Sequence, residues 1–584
     1  MSGELKNINL WVEEEAEYLL DDEDIKAEEV DYIEEYIDFS DEQGLLPYES
    51  IVIEDVPHEL NFEGTIWSNE RPSSVNNSSS GGGRKIAQTR SGPLGLAKLA
   101  KTPSECLFLF LDPDVIATIT EYTNEKIKEH QSNYTRDRDA NPTDETEILA
   151  VLGILFIAGT IGTGRQNIKY LFDSKTGTGM EAVYLTMTVH RFHFVLRSLR
   201  FDDPVTADDE LEADKLAPIR AVYERIVNNF HKYYRPTRHL ALDEQKMFFK
   251  GVCDFRVNIP LSQNRSGFKF HLLVDCTIPY TCNMEIFTPN NHEPYNLSYA
   301  PEDVALRMTE SVQGKNKIVT LGANFVTLEV VKKLHEKRTM TVGEVNKTCP
   351  SIPKAFKVAK RHEDSSTLVA YHESVKLMSH VSKRRGLCIL MSSQDAGEED
   401  EQTGQAEEES DNSVSPEPKL VTQYNQYKNV VKTIQQMCSM YDVSRSTSRW
   451  PLMIFFNLMN LSSINAWCIY RLNLPESNVN RRDFLVEMAL EMIRPHARRR
   501  LESKTLPRTI KTRLGMFLGV APEEYEHVPV PKNRRGSRGR CFLCGRSRNK
   551  STRLSCDSCG KFTCNAHCTY LCHTCCFTAA DETS

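Results

Sequence analysis

The chain has 584 residues, 40% of them hydrophobic and 26% charged, with a mean hydropathy of −0.44 and a formal net charge of −10. That length suits about two to four domains with a large buried core. No leading apolar h-region is present, and the longest apolar run, Ile148 to Ile161, is too short to cross a bilayer, so a soluble intracellular protein with no membrane partner is expected.

The charge is segregated along the chain. Residues 1–60 hold 21 acids and two lysines, residues 395–418 hold ten acids and no Lys or Arg, and everything else carries +19. The acidic head has scattered apolar residues such as Trp11, Leu19, Tyr32 and Ile37. That mix suits either a segment that folds on a protein partner or a solubilising tail. A polar linker with Ser78 to Ser80 and Gly81 to Gly83 follows, and residues 1–104 read as disordered.

Ordered structure is expected from about Cys106, with helical periodicity from Pro113 to Tyr234. Asp144 and Glu147 have the spacing of a capping box ahead of the Ile148 run. The pattern changes at His239. Leu240 to Gln245, Lys269 to Cys276, Lys317 to Leu321 and Leu387 to Ser392 have strand length between turn residues, and Val326 to His335 reads as a helix. From Tyr424 the chain is helical again, over Tyr424 to Met440, Pro451 to Tyr470 and Arg482 to Leu501. Strands in the middle with helices before and after suggest an α/β domain inserted into a helical one. The histidines His193, His231, His239 and His271 and the tryptophans Trp450 and Trp467 read as structural.

The tail carries the strongest chemical signal. Cys541/Cys544, Cys556/Cys559, Cys564/His567 and Cys572/Cys575 each leave two residues between partners, the spacing at which two side chains on a tight turn reach one tetrahedral zinc. Four pairs make two structural sites, with Cys568 and Cys576 as spares. The spacing leaves open whether the pairs interleave, first with third, or follow in sequence. Lys532 to Arg553 adds nine Lys/Arg and no acid, and Arg498, Arg499 and Arg500 begin an earlier basic cluster. Phosphate contact is the reading favoured for Arg498, Arg499, Arg500, Arg534, Arg535, Arg538 and Arg540.

Leu199 to Asp203 (LRFDD), Leu240 to Gln245 (LALDEQ), Gln423 to Pro451 and the terminal Cys/His spacing together resemble the piggyBac transposase family over residues 105–577. The resemblance implies an α/β RNase H-like domain inserted in an all-α dimerisation and DNA-binding domain, with a small C-terminal zinc-binding cross-brace module. The implied boundaries are 105–236 and 437–515 for the helical part, 237–436 for the RNase H-like domain with an insertion at about 341–386, a basic linker at 516–540 and the cysteine-rich module at 541–577. It also implies DNA as ligand, a homodimer and a nuclear location.

In the family three aspartates hold two divalent metals, because hard cations need oxygen ligands. The resemblance carries the first onto Asp243 and places Gly322 and Lys432 at the other two positions, with Gln435 one helical turn beyond Lys432. Mg²⁺ is therefore not expected to bind productively. Lys432 is a candidate ion-pair partner for Asp243, and Asp275, Glu329 and Asp442 are the acids weighed as replacements. Three functions remain open: a domesticated DNA-binding protein without strand transfer, a nuclease completed by an intact partner subunit, and a zinc module that recognises other proteins.

Overall fold

The computed structural model describes residues 59–568, apart from 63–64, 71–89, 133–139, 163–166, 175–176, 178, 204–212, 260–265, 290, 358–364, 383–385, 394–417, 504, 522–537, 545–547, 549 and 556–560. The acidic head up to residue 58 and most of the acidic loop lie outside the described residues. One strand pair, β1 (Glu59–Phe62) and β2 (Thr65–Ser68), corrects the expectation of disorder through residue 104. Trp67 is fully buried there, and its indole N–H donates to the Ser351 carbonyl at 3.1 Å. A single large aromatic with a satisfied N–H is enough to pin a short strand that composition alone assigns to a linker.

Ordered helical structure begins earlier than Cys106. Strand β3 (Gly92–Pro93) leads to helix α1 (Pro103–Phe108), where Thr102 and Glu105 form both halves of a capping box. Next come α2 (Pro113–Gln131), α3 (Glu145–Thr160), α4 (Glu181–Thr186), α5 (Val189–Ser198) and α6 (Arg220–Tyr233). Asp144 caps α3 by accepting the Glu147 N–H at 2.9 Å. The Glu147 carboxylate does not close the box. It takes two bonds from Arg191, at 2.9 and 2.7 Å, and one from Thr143 at 2.7 Å. Strand β4 (Tyr234–Arg235) pairs back on β3 and closes this part.

The sheet begins with β5 (His239–Phe248), then β6 (Val257–Asn258), β7 (Ser266–Asp275) and β8 (Thr281–Ile286). Helix α7 (Pro301–Thr309) precedes β9 (Ile318–Leu321), which connects through α8 (Leu328–Glu336) to β10 (Met340–Glu344). β8, β7 and β5 are antiparallel neighbours, whereas β5, β9 and β10 run parallel. The parallel trio ends on one edge, where Leu242, Leu321 and Gly343 share a register.

The insertion does not form a separate body. β11 (Ser365–His372), β12 (Val375–Ser382) and β13 (Gly386–Ser392) continue the same sheet, which has eleven strands among the described residues and ends on β2 and β1.

After the acidic loop the chain returns as α9 (Lys419–Tyr427) and α10 (Val430–Met440), a break at Lys428 and Asn429 dividing what the periodicity gives as one helix. Helix α11 (Trp450–Asn473) is long and apolar enough to cross a membrane, and 94% of its apolar window is buried inside the protein. Its asparagines sew it to four surroundings. Asn457 bonds Gln245 of β5 at 3.1 Å and Asn460 bonds Asp442 at 2.8 Å. Asn465 both accepts from and donates to the Thr281 backbone, and Asn473 reaches the Ala97 and Ala100 carbonyls. A buried amide left without such partners would be costly, so these bonds fix the helix in one rotation. Helix α12 (Arg481–Leu501) follows.

The chain divides into two compact units at His496/Ala497. The second holds α13 (Arg508–Leu518), ended by Gly519 in the left-handed region, and a hairpin of β14 (Gly539–Arg540) with β15 (Ser551–Thr552).

Candidate functional site

The shared edge of the parallel strands brings Asp243 and Gly322 together. Each follows a paired leucine, Leu242 and Leu321, and the Gly322 N–H donates to the Leu242 carbonyl at 2.8 Å. A Cβ at position 322 would lie 2.0 Å from Asp243 Oδ1 and 2.4 Å from its Cγ. The Asp243 carboxylate therefore occupies the space that a side chain at 322 would need.

Helix α10 packs over this edge, and its Gln435 accepts the Lys246 backbone N–H at 3.5 Å, the limit of hydrogen-bond reach. Lys432, one turn earlier on α10, acts on Asp243 through its field. The expected contact is corrected in kind: among the described residues no ion pair within 4.0 Å joins the two. Burial pushes the Asp243 carboxyl up to about 6, against the backbone N–H of Glu244 and the charges of Lys432 and Lys246, which lower it.

The acids weighed as replacements stand elsewhere. Asp275 does lie on the strand beside Asp243, but its register partner is Leu240, whereas Asp243 faces Leu272. It is fully buried and saturated by Tyr234, by Thr237 through both backbone and hydroxyl, and by the Thr277 N–H. Glu329 is exposed in the first turn of α8, and Asp442 is held by Ser444 and Asn460.

The acid that sequence reasoning missed is Glu344. It follows Gly343, the register partner of Leu321, at the end of β10, two strands across the sheet from β5, or about 10 Å. Tyr424 of α9 donates to its carboxylate at 3.2 Å, and both Glu344 and Asp243 help to raise the phenol. The β-branched run Thr341-Val342 after a helix is the available signal, and an insertion expected from about 341 covers it. A pair of divalent cations needs several oxygen ligands around one point. Asp243 beside a glycine, with the Lys432 charge acting on it and the Glu344 carboxylate bonded to a tyrosine, does not fit that requirement.

The second candidate site is in the tail. Cys541, Cys544, Cys564 and His567 converge, their donor atoms all within 4.8 Å of one another. The His567 Nδ1 is 3.5 Å from each of the three sulfurs, and the Cys544 and Cys564 sulfurs are 3.7 Å apart. A tetrahedral zinc with bonds of ~2.3 Å to sulfur and ~2.0–2.1 Å to nitrogen sets these edges at ~3.8 and ~3.5 Å, so the donor set fits that ion. Among the described residues the first pair thus lies with the third, the arrangement of an interleaved order.

Backbone geometry builds this cluster. The Cys541 N–H donates to the Lys550 carbonyl, the Phe542 N–H to the Phe562 carbonyl and the His567 N–H to the Cys564 carbonyl. A Cβ on Gly539 would meet the Phe562 ring at 1.9 Å, so the hairpin can only close over that ring with glycine there. Burial alone would raise the Cys541 thiol, but the Cys564 N–H, the His567 ring and the Leu543 and Cys544 N–H groups together bring it down to about 6. Burial and the sulfurs of Cys564 and Cys541 push Cys544 up to about 11, as expected of crowded sulfurs without a cation to balance them.

Cys568 is described and stands outside the cluster. Cys556, Cys559, Cys572 and Cys575 lie outside the described residues, as do Arg534 and Arg535. Arg538 and Arg540 are exposed on the hairpin. Arg498 and Arg499 are exposed on the last turn of α12, whereas Arg500 is half-buried and its guanidinium is lowered by burial. Trp467 is core, Trp450 stacks edge-on against Phe255, and His271 pairs with Glu285 at 3.3 Å.

A model of the family described as Transposase IS4 matches residues 102–467. Human PiggyBac transposable element-derived protein 3 is 21% identical over 485 residues, 79% of this chain and 74% of that protein. The human Chimeric ERCC6-PGBD3 protein shows the same 21% over 485 residues, which make up 41% of its length, so the chain spans less than half of that relative. A cryo-EM structure of a piggyBac transposase synaptic complex with hairpin DNA matches with a TM-score of 0.69 and 26% identity, over 83% of this chain and 100% of that one.

Proposed function

The chain belongs to the piggyBac transposase family and has its RNase H-like transposase fold, and from that premise we propose that it binds DNA, terminal-repeat-like or chromosomal, without transferring strands. The observation that carries this reading is the contact at the strand edge. The Asp243 carboxylate fills the place of a side chain at 322, and the positive charge of Lys432 acts on it through space. A metal pair there would lose ligands and meet repulsion together. Mg²⁺ accordingly has no productive site, and Asp243 is a remnant.

DNA contact is supported by the relative held in complex with hairpin DNA and by the exposed Arg498, Arg499, Arg538 and Arg540. The module is held by two structural zincs, one on Cys541, Cys544, Cys564 and His567, the other on Cys556, Cys559, Cys572 and Cys575. We further propose a nuclear homodimer whose acidic head either folds on a protein partner or serves as a solubilising tail.

Terminal-repeat-like hairpins in Mg²⁺ or Mn²⁺ provide the test. The expected result is binding that falls steeply with salt, about 0.9 log unit per contacted phosphate, and no nicking. Neutralising Arg534, Arg535, Arg538 and Arg540 together flattens that slope. Only the triple change Gly322→Asp, Lys432→Asp, Gln435→Asp supplies the carboxylates of a metal pair around Asp243. Mg²⁺-dependent nicking by the unmodified chain, abolished in Asp243→Ala, would overturn the reading.

One observation favours a second reading, a zinc module that binds peptide. Phe542 and Leu543 sit on the module surface at 63% and 58% exposure. In that case hairpin DNA binds weakly and the four arginine changes leave partner binding intact.

A further inference from the structure

The loop between α10 and α11, Tyr441 to Arg449, carries more positive charge than its surroundings balance. Among the described residues, none of the three guanidinium nitrogens of Arg445 has a hydrogen-bond partner, and all three are shut off from solvent. The nearby carboxylate, Asp442, favours the Arg445 charge at a distance, but its oxygens are taken by the Ser444 N–H and hydroxyl and by Asn460. Arg449 lies four residues on and donates to the Arg197 and Leu199 carbonyls, with Asp202 favouring its charge at a distance. Arg481 donates to the Met437 carbonyl and stands over the Tyr441 ring at 5.0 Å. A desolvated guanidinium without a partner is among the costlier features a fold can hold.

The loop also has a telling position. A Cβ on Gly251 would meet the Ser448 carbonyl at 2.6 Å, so the loop lies against the turn that follows β5. That turn is downstream of Asp243 on the same strand, and it carries the exposed Lys250. Ser446 and Ser448 are exposed on the loop itself. The unpaired cation therefore stands on a loop packed against the turn that ends β5, the strand that carries Asp243.

We infer that Arg445 is a phosphodiester-binding side chain, held unpaired in the free protein and turned outward onto the DNA backbone when DNA lies along the Asp243 edge. Guanidinium suits this role because its planar fork matches two phosphate oxygens at once. The bond formed with phosphate relieves the unpaired burial, so binding is coupled to release of the side chain. This rests on the DNA-binding reading above and names a contact within it.

The test combines stability with salt dependence, on the full chain and on hairpin DNA. Arg445→Met replaces the guanidinium with an apolar chain of similar length. The expected result is a melting temperature a few degrees higher than that of the unmodified protein, with affinity about tenfold lower and a salt slope shallower by about 0.9. Arg445→Lys keeps the charge and the slope. An Arg445→Met variant that melts lower, or fails to fold, or keeps the unmodified slope, overturns the inference. If the unmodified chain itself shows no salt-dependent DNA binding, it is the DNA-binding reading that fails. Inorganic phosphate at matched ionic strength separates a free-anion site: stabilisation by phosphate that requires Arg445, with no change in DNA slope on its loss, also overturns it.

Discussion

Two clusters in this protein are assembled with equal care by the backbone, yet they differ in what fills the middle. At the strand edge, Asp243 and Gly322 meet because β5 and β9 pair in parallel and end together, and the carboxylate itself occupies the shared space. In the tail, three sulfurs and an imidazole nitrogen stand 3.5 to 3.7 Å apart around a common centre. Those separations match the edges of a tetrahedron around a zinc-sized ion, and a cation would let the sulfurs be thiolates at once. The comparison separates two things that a motif alone runs together. Bringing positions together is the work of the fold, and holding a metal is the work of the side chains found there.

The tail offers the largest effect. Chelation should remove about two equivalents of zinc and unfold the module, since structural zinc contributes about 10–16 kcal/mol of apparent binding free energy at neutral pH. Zinc content by mass spectrometry tests the interleaved order. Cys541→Ser and Cys564→Ser should each lose one equivalent, and the double variant should still lose only one. A double variant that loses two would make the pairs sequential. Cys568→Ser should keep both.

The strand edge answers with a smaller and opposite effect. Asp243 has its carboxyl raised from 3.8 to about 6 by burial, so the folded state binds its proton more tightly than the unfolded chain. Between those values stability falls as pH rises, and above about 6 the cost is constant. The two pKa values differ by enough to cost about 3 kcal/mol at pH 7. Asp243→Asn should therefore stabilise the protein at pH 7 by up to that amount and remove the decline between pH 4 and 6. Loss of stability at pH 7 in this variant would mean that the charged carboxylate has a partner it needs.

Gly322→Asp comes next in size. Its Cβ forces Asp243 to rotate, and the new carboxylate adds a like charge beside a buried one, at a cost of about 1–3 kcal/mol. Combining it with Asp243→Ala should recover most of the loss, because the truncated side chain frees the space and removes the like charge. Denaturation midpoints of the single and double variants measure the coupling, and simple additivity would place the two side chains apart.

Much of this was legible in the sequence, for reasons specific to each element. Strands β7, β9 and β13 are apolar runs bounded by turn residues, and α3 and α11 are apolar beyond what any loop tolerates. The cysteine spacing gave the ligand pairs but not their order, because pairing depends on which turns the hairpin of β14 and β15 brings together. What could not be read depends on register. Glu344 matters only because β10 ends beside β9, one residue past the Gly343–Leu321 pair, and Asp275 is excluded because it pairs with Leu240 while Asp243 faces Leu272. Trp67 hid between the exposed Ile66 and the polar run Ser68-Asn69-Glu70, where one buried ring outweighs composition. Arg445 carries no signal in sequence at all, since an arginine in a loop normally faces water.

The smallest effect is also the sharpest probe of the strand edge. Lys432 acts on Asp243 through space, without a contact ion pair, and it favours the charged carboxylate. Lys432→Met removes that field and leaves burial unopposed from this side, so the Asp243 carboxyl should titrate above its present value of about 6. Lys246 acts in the same direction but more weakly, and it also faces Glu244 at 3.7 Å, so Lys246→Met should move the titration less. Carboxyl-selective NMR across pH 4 to 8 reads both shifts on one residue. An upward move in Lys432→Met larger than that in Lys246→Met places the ammonium over the strand edge, where a metal pair would otherwise have to sit. If Lys432→Met leaves the titration unmoved, the ammonium points away, and the repulsion assigned to it at that edge has to come from another group.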